Sequence, residues 1–374
     1  MRYSKHLMVS CGVWRTPYFK NPIIQKLYFY CGFLVQIFYL TSCTGMLIEF
    51  FCLLKSSDTK KLTENIRTTA SCVLVAVKIC IFQTGRFTRL FKKVVKDERD
   101  VARSNDRDIR TMHFGFAKYI YRFMAAIIGL GNTPCIFVVI WTIVLATNPS
   151  AERPVVISTY YPFDESKHYV ATLFLEMFCA IIATEYFCVC QVLYISIMVF
   201  VKMQLRILQH QIRNFDNQTF NDDLLMIKKF IRSHQDIIRF VGELNEAIKF
   251  MLLVEFLCSS INIASSIVHL SVAENMDDIG YSACCAGVLT TQLLVFVWHA
   301  NEINIESVNI SSALYEVPWY EKSLEIQKMI SIMILRSQRP LTLTIGPFKP
   351  LTNQIITQVI NVAYSYVTIM THFY

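Results

Sequence analysis

Six polar side chains recur near the carboxyl end of this 374-residue chain: Gln354, Gln358, Asn361, Ser365, Thr368 and His372. Their spacing alternates four and three, so a helix carries all six on one face. The surrounding stretch, QIITQVINVAYSYVTIMTHFY, is otherwise largely apolar. Amides, hydroxyls and one imidazole in a row are not a catalytic set. In lipid such a stripe either faces water, where it can solvate a passing ion, or forms a hydrogen-bonded seam with another helix. The reading adopted is a pore wall, with Asn361, Ser365, Thr368 and His372 along the conduit. One helix per chain cannot enclose a conduit, so several subunits must complete it. The pore helix is then expected to end at the outer face.

A second set is ionisable. Glu49, Lys78, Arg122, Glu176, Glu185 and Glu255 lie in or beside apolar runs, where an unpartnered charge costs a few kcal/mol or more, about 3 on the lower scales. Glu49 and Arg122 fall near span ends, within reach of the interface. Lys78 counts to a depth between Glu176 and Glu185, which predicts an ion pair with one of them, the alternative being a water-filled cavity. There is no nucleophile elbow, no histidine pair at metal spacing and no phosphate-cradling glycine loop. An enzyme, a metal centre and a cofactor site are not expected. Most of the 13 cysteines sit in apolar runs and read as small buried hydrophobes rather than a disulfide framework.

The elements that position these residues are helices. Hydrophobic residues make up 54% of the chain, charged residues 17%, and the mean hydropathy is +0.40, too apolar for a solvated α/β enzyme. The net charge of +8 is spread between apolar segments rather than gathered into one basic patch, which argues against nucleic acid. Seven segments have the roughly 20 apolar residues a membrane span needs: 28–54, 66–88, 118–147, 168–201, 248–273, 279–300 and 350–372. Pro134 is expected to kink the third, and Pro350 to occupy the first turn of the seventh. The chain reads as one seven-helix domain, 1–374, an all-α membrane protein. Alternate inter-span segments carry twenty-five Lys and Arg against five, which predicts a cytoplasmic amino terminus and an extracellular carboxyl terminus. No cleavable signal peptide is evident. Helical periodicity starts near Asn221, long before the apolar part of the fifth span, so that helix should project into the cytoplasm. The sequons at Asn217 and Asn309 would then both be cytoplasmic and carry no sugar.

An ordered set of short motifs adds a resemblance. It comprises Tyr160-Tyr161-Pro162-Phe163-Asp164; His234-Gln235, Arg239-Phe240, Leu244-Asn245 and Ser259-Ser260; Trp298-His299-Ala300-Asn301-Glu302, Glu306-Ser307, Ala313-Leu314-Tyr315 and Trp319-Tyr320; then Arg336-Ser337-Gln338-Arg339-Pro340-Leu341, Gly346 and Ala363-Tyr364-Ser365-Tyr366. In this order they resemble the ligand-binding subunits of insect odorant receptors. The resemblance implies a subunit of a ligand-gated nonselective cation channel, assembled as a heterotetramer with the odorant receptor co-receptor subunit in the plasma membrane of olfactory sensory neurons. Residues 202–247 and 301–345 would form a cytoplasmic helical anchor, and the last helix would line the pore. The hydrophobic gate of that family would fall on Ile369 and Phe373. These lie on a stripe with Val362 and Tyr366, turned by about 100° from the polar one, so which stripe faces the pore stays open. The ligand would be a small volatile apolar molecule in the outer half of the bundle. Val75, Val138, Trp141, Phe174, Phe178 and Tyr281 are the candidate lining residues, chosen by depth and size, with at most one hydrogen bond, from Tyr281. A gustatory-type receptor channel and a G-protein-coupled receptor are the alternatives. The second of these requires an external amino terminus.

Overall fold

The computed structural model describes all residues except 1, 15–18, 20, 56–58, 148–156, 164–166, 216–219, 273–275, 356, 359–360, 362–363, 366–367 and 369–374. Nine α-helices are described: α1 (Arg2–Ser10), α2 (Pro22–Leu53), α3 (Thr59–Phe82), α4 (Gly85–Ala102), α5 (Arg107–Thr147), α6 (Tyr169–Arg213), α7 (Phe220–Val272), α8 (Met276–Glu316) and α9 (Leu324–Ser337). A two-residue antiparallel pair, β1 (Thr344–Ile345) and β2 (Lys349–Pro350), follows, and helical residues resume at Gln354. Among the described residues six helices, α2, α3 and α5 to α8, are long and apolar enough to cross a membrane.

Burial sorts these helices. In α6 every residue from Cys188 to Val201 is buried, so this segment is surrounded by other helices on all sides. In α2, by contrast, Ile23, Leu27, Phe33, Leu34 and Phe51 are exposed, as are Ile136, Ile140 and Ile143 of α5. Large apolar side chains exposed in rows are what lipid requires. All thirteen cysteines are free thiols.

Two boundaries differ from the hydropathy reading. The span drawn over 66–88 covers two helices, because α3 ends at Phe82 and Thr84 starts α4, its Oγ1 accepting from Phe87 N at 3.4 Å. α4 is amphipathic, burying Phe87, Leu90, Phe91 and Val94 at helical spacing. Pro350 is not in a helix: it lies in β2 opposite Thr344. Proline has no N–H, so an edge position in a short strand suits it as well as a first helical turn. α5 continues through Pro134 as helix. α7 is one helix of 53 residues, about 80 Å long, which joins the periodic stretch at Leu224–Leu244 to the apolar stretch beyond it.

At the end of the bundle holding α9, charge stitches α6 to α8. Lys202 pairs with Glu302, Arg206 with Glu306 at 2.6 Å, and Arg213 with Glu316 at 2.7 Å. Gln209 Nε2 donates to the Glu306 carbonyl at 2.9 Å. Partners about a hundred residues apart recur at successive turns, so α6 and α8 run alongside each other in fixed register.

Candidate functional site

A cavity of about 190 Å³ opens between α3, α5, α6 and α8. Arg67, Thr68, Ser71, Cys72 and Val75 line it from α3; Ala180, Ala183, Thr184 and Phe187 from α6; Gly131 and Cys135 from α5; Cys285, Val288 and Leu289 from α8. The space exists because α6 presents small residues there: Ala180, Ala183 and Thr184 fall at helical spacing and leave a hollow above the ring of Phe187. Gly131 has the same origin. A Cβ at that position would meet Cys188 Sγ at 2.5 Å, so α5 and α6 approach closely beside the hollow.

Ile157, in the connection before α6, borders the cavity. It is buried, and its backbone N–H donates to Glu176 Oε2 at 3.3 Å. Asn65 Nδ2 donates to the Ser158 carbonyl at 2.9 Å, and Tyr160 N to the Gly45 carbonyl at 3.3 Å. Gly45 permits that approach, since a Cβ there would lie 2.8 Å from Thr159 Cγ2.

The hydroxyls on the wall are engaged by the protein itself. Thr184 Oγ1 donates to the Ala180 carbonyl at 2.8 Å, Thr68 Oγ1 to the Glu64 carbonyl at 3.0 Å, and Ser71 Oγ to the Arg67 carbonyl at 3.0 Å while accepting from Asn262 Nδ2 at 3.1 Å. A molecule in this cavity therefore meets mostly apolar surface. The volume lies below the roughly 300–1,000 Å³ of drug-sized sites, so only a small molecule fits.

Of the six lining candidates, Val75 is on the cavity wall. Phe174 and Phe178 are not: they are 69% and 50% exposed on the outer face of α6, where Phe178 meets Phe38 with ring centroids 5.3 Å apart. The side chains of Val138, Trp141 and Tyr281 lie outside the described residues. Selection by size picks out large rings, which suit lipid contact as well as a binding site. The small residues that make the hollow, Ala180, Ala183 and Thr184, were missed, because small side chains on one helix mark a cavity only when its neighbours are known.

The buried charge also has a different partner. Lys78, fully buried, pairs with Glu255 of α7 at 2.5 Å, not with Glu176 or Glu185. Gln191 Nε2 donates to the other Glu255 oxygen at 2.8 Å, and the Lys78 ammonium lies 5.2 Å from the Phe187 ring centroid. Counting depth along spans does not say which helices are neighbours, and it is α7 that lies along α3. The seam continues with Asn262 to Ser71 and with Ser265 Oγ donating to the Thr63 carbonyl at 2.9 Å.

On the closing segment Gln354, Gln358, Asn361, Ser365 and Thr368 are helical and exposed. Ser365 Oγ donates to the Asn361 carbonyl and Thr368 Oγ1 to the Tyr364 carbonyl, each at 2.9 Å. Ile369, His372 and Phe373 lie outside the described residues.

A larger cavity of about 610 Å³ lies between α4, α6 and α7, lined by Lys93, Asp97, Asp100, Lys229 and Asp236 together with Phe200 and Phe240. Burial pushes the Asp97 carboxyl up, against the opposing pull of Lys93 and with the help of Asp100 and Asp236.

Several motif residues now have physical roles. The ring of His299 bridges the Val295 carbonyl at Nδ1, 2.7 Å, and the Tyr119 hydroxyl at Nε2, 2.9 Å. Ser307 Oγ accepts from Leu341 N at 2.9 Å. Asn245 Oδ1 accepts from Thr344 N at 2.8 Å, and Gly346 N donates to the Lys249 carbonyl at 2.8 Å.

Comparisons with known proteins agree with this architecture. The family model described as 7tm Odorant receptor matches residues 58–364. The chain is 34% identical over 186 residues to Odorant receptor 10 of Aedes albopictus, covering 48% of this chain and 49% of that one. It is 28% identical over 148 residues to Odorant receptor Or2 of Anopheles gambiae, covering 40% and 39%. These matches span half or less of each relative's length. Among solved structures, the insect olfactory receptor OR5 from Machilis hrabei in complex with eugenol superimposes with a TM-score of 0.79 at 15% identity, over 100% of this chain and 98% of that one, a likeness of fold. The same receptor in a second structure gives 0.77 at 16% identity. These are receptors and not enzymes, and this multi-pass membrane chain belongs to the odorant receptor family.

Proposed function

We propose that this chain is the ligand-binding subunit of an odorant-gated, nonselective cation channel. A small volatile occupies the cavity between α3, α5, α6 and α8, and the closing helix lines the pore. The observation that carries the reading is the cavity itself: small, walled mainly by apolar groups, with its hydroxyls already bonded within the protein. Such a site holds its ligand by dispersion and burial. The neighbouring structure that holds eugenol supports a small organic ligand for this architecture. Binding opens the channel only if the volatile prefers the open state, since equal affinity for both shifts nothing.

The pore reading rests on the exposed stripe Gln354, Gln358, Asn361, Ser365 and Thr368, which within one chain has no apolar reason to align. Ile369, His372 and Phe373 continue the proposed pore and gate. The co-receptor subunit supplies the remaining pore helices. The amino terminus faces the cytoplasm and the carboxyl terminus the outside of the plasma membrane of olfactory sensory neurons. Residues 202–247 and 301–345 form the cytoplasmic anchor. Of the cavity candidates, Val75 contributes directly, and Val138, Trp141 and Tyr281 stay candidates for ligand contact. For Phe174 and Phe178 a lipid-facing role replaces ligand contact.

The test is conductance in cells expressing the chain with the co-receptor subunit, screened against a panel of small volatiles. A volatile-evoked current that weakens in Ala183→Leu, which fills the cavity, supports the reading. Evoked currents that need no co-receptor favour the gustatory type instead, and unchanged responses in Ala183→Leu refute the cavity.

A further inference from the structure

We infer that the buried Lys78–Glu255 pair is a positioning device that passes occupancy of the cavity, through α7, to the turn that starts the closing helix. This rests on the cavity reading above and adds the residues that carry its signal.

The first link is the ring of Phe187. It forms part of the cavity wall and also lies under the Lys78 ammonium, 5.2 Å from its centroid. Lys78 is one turn beyond Val75, another wall residue. A molecule pressing on Phe187 therefore presses on a fully buried charge.

The second link is the Glu255 carboxylate, where three helices meet. One oxygen holds Lys78 of α3 at 2.5 Å and the other accepts from Gln191 of α6 at 2.8 Å, while Glu255 itself belongs to α7. Coupling needs an element with two discrete arrangements. Here the second is prepared. The Tyr194 hydroxyl, about one turn from Gln191 on α6, is buried and, among the described residues, has no hydrogen-bond partner. The Gln191 side-chain amide oxygen, Oε1, is likewise buried and unpartnered among them. A second arrangement of the pair therefore has a buried hydroxyl donor on Tyr194 and a buried amide acceptor on Gln191 left to satisfy. Buried polar atoms left unmatched are costly, which gives both arrangements a reason to exist.

The third link is α7, a single helix that carries Leu253 and Lys249 within two turns of Glu255. The Lys249 carbonyl accepts from Gly346 N at 2.8 Å. Gly346 has φ +55° and lies against Leu253, whose Cδ2 is 3.3 Å from where a Cβ would be. This turn precedes the helical residues that begin at Gln354. A shift or roll of α7 at Glu255 is therefore felt at the base of the closing helix.

The test uses hydrogen exchange of the purified full-length chain, with no ligand. Ala183→Leu stands in for an occupied cavity, and the peptide 343–355, which holds the Gly346 and Leu351 amides, is the reporter. With the native pair, Ala183→Leu is expected to change its exchange rate by about threefold or more. In the background Lys78→Met with Glu255→Met, which replaces the pair by apolar side chains without leaving a lone charge, the change should disappear. The α9 peptide 324–337 should stay constant throughout, separating coupling from general loosening. Ala180→Leu on the same wall replaces Ala183→Leu if that variant does not fold. A change that persists without the pair, or is absent with it, overturns the proposal. The readout needs neither current nor odorant, so a silent volatile screen would remove the odorant reading and leave this result standing.

Discussion

Two regions of the molecule use the same chemistry under opposite conditions. At the α9 end of the bundle, α6 and α8 are joined by three ion pairs in series, of which Arg213–Glu316 has side chains 45% and 53% exposed. Between α3 and α7 lies the pair Lys78–Glu255, with side chains 0% and 6% exposed. An exposed pair such as Arg213–Glu316 is screened and contributes about 0–1 kcal/mol, and Lys202–Glu302 and Arg206–Glu306, with side chains 21% and 22% and 46% and 7% exposed, share the task of setting register with it. A buried pair adds little over an apolar match but becomes very costly when one partner is lost. The ladder therefore tolerates damage, whereas the buried pair makes α3, α6 and α7 respond together.

Single and double substitutions can break this contrast. The largest effect is expected from Lys78→Met alone, a loss of about 3–5 kcal/mol that leaves Glu255 buried and uncompensated. It should appear as a lower apparent melting temperature of the purified protein and less receptor at the cell surface, with Lys78→Met plus Glu255→Met recovering most of both. Equal behaviour of single and double variants would show that the pair is not the unit. Next is Gly131→Ala, where the added methyl meets Cys188 Sγ; overpacking of about 1–3 kcal/mol should lower the melting temperature, and Cys188→Ala should relieve it. Gly346→Ala follows, at about 1–2 kcal/mol for the left-handed backbone, together with a shifted response if the turn carries the signal of α7. The smallest effect belongs to the ladder. Arg213→Ala should cost no more than about 1 kcal/mol and leave surface expression close to native. A loss there as large as that of Lys78→Met would erase the distinction between the two regions.

Much of the architecture is legible along the chain. Long apolar runs mark the six described crossing helices, because the need to satisfy every backbone group inside lipid acts on each segment separately. Boundaries were less legible. The cap at Thr84 splits one apolar run into α3 and α4, and the β1–β2 pair takes Pro350 out of the helix, since a single hydroxyl or two strand residues hardly alter an averaged hydropathy. Of the six candidates, Val75 falls on the cavity wall and Phe174 and Phe178 on the outer face of α6, while the side chains of Val138, Trp141 and Tyr281 lie outside the described residues; ring size and depth are shared by lining and lipid-facing residues. A cavity is made by what is missing, and Ala180, Ala183, Thr184 and Gly131 mark it only once four helices converge around them.

The chain by itself determined the class of solvent, the helical character of its apolar runs and the family, since each depends on composition or motif order within local stretches. It also required that a lysine within a span find a partner or water. Only the tertiary structure decided that the partner is Glu255 on α7 and that a ring beneath the cavity touches the same ammonium. Which charges and which hollows come together depends on the rotation and neighbours of each helix, and these follow from packing between segments that are distant in sequence.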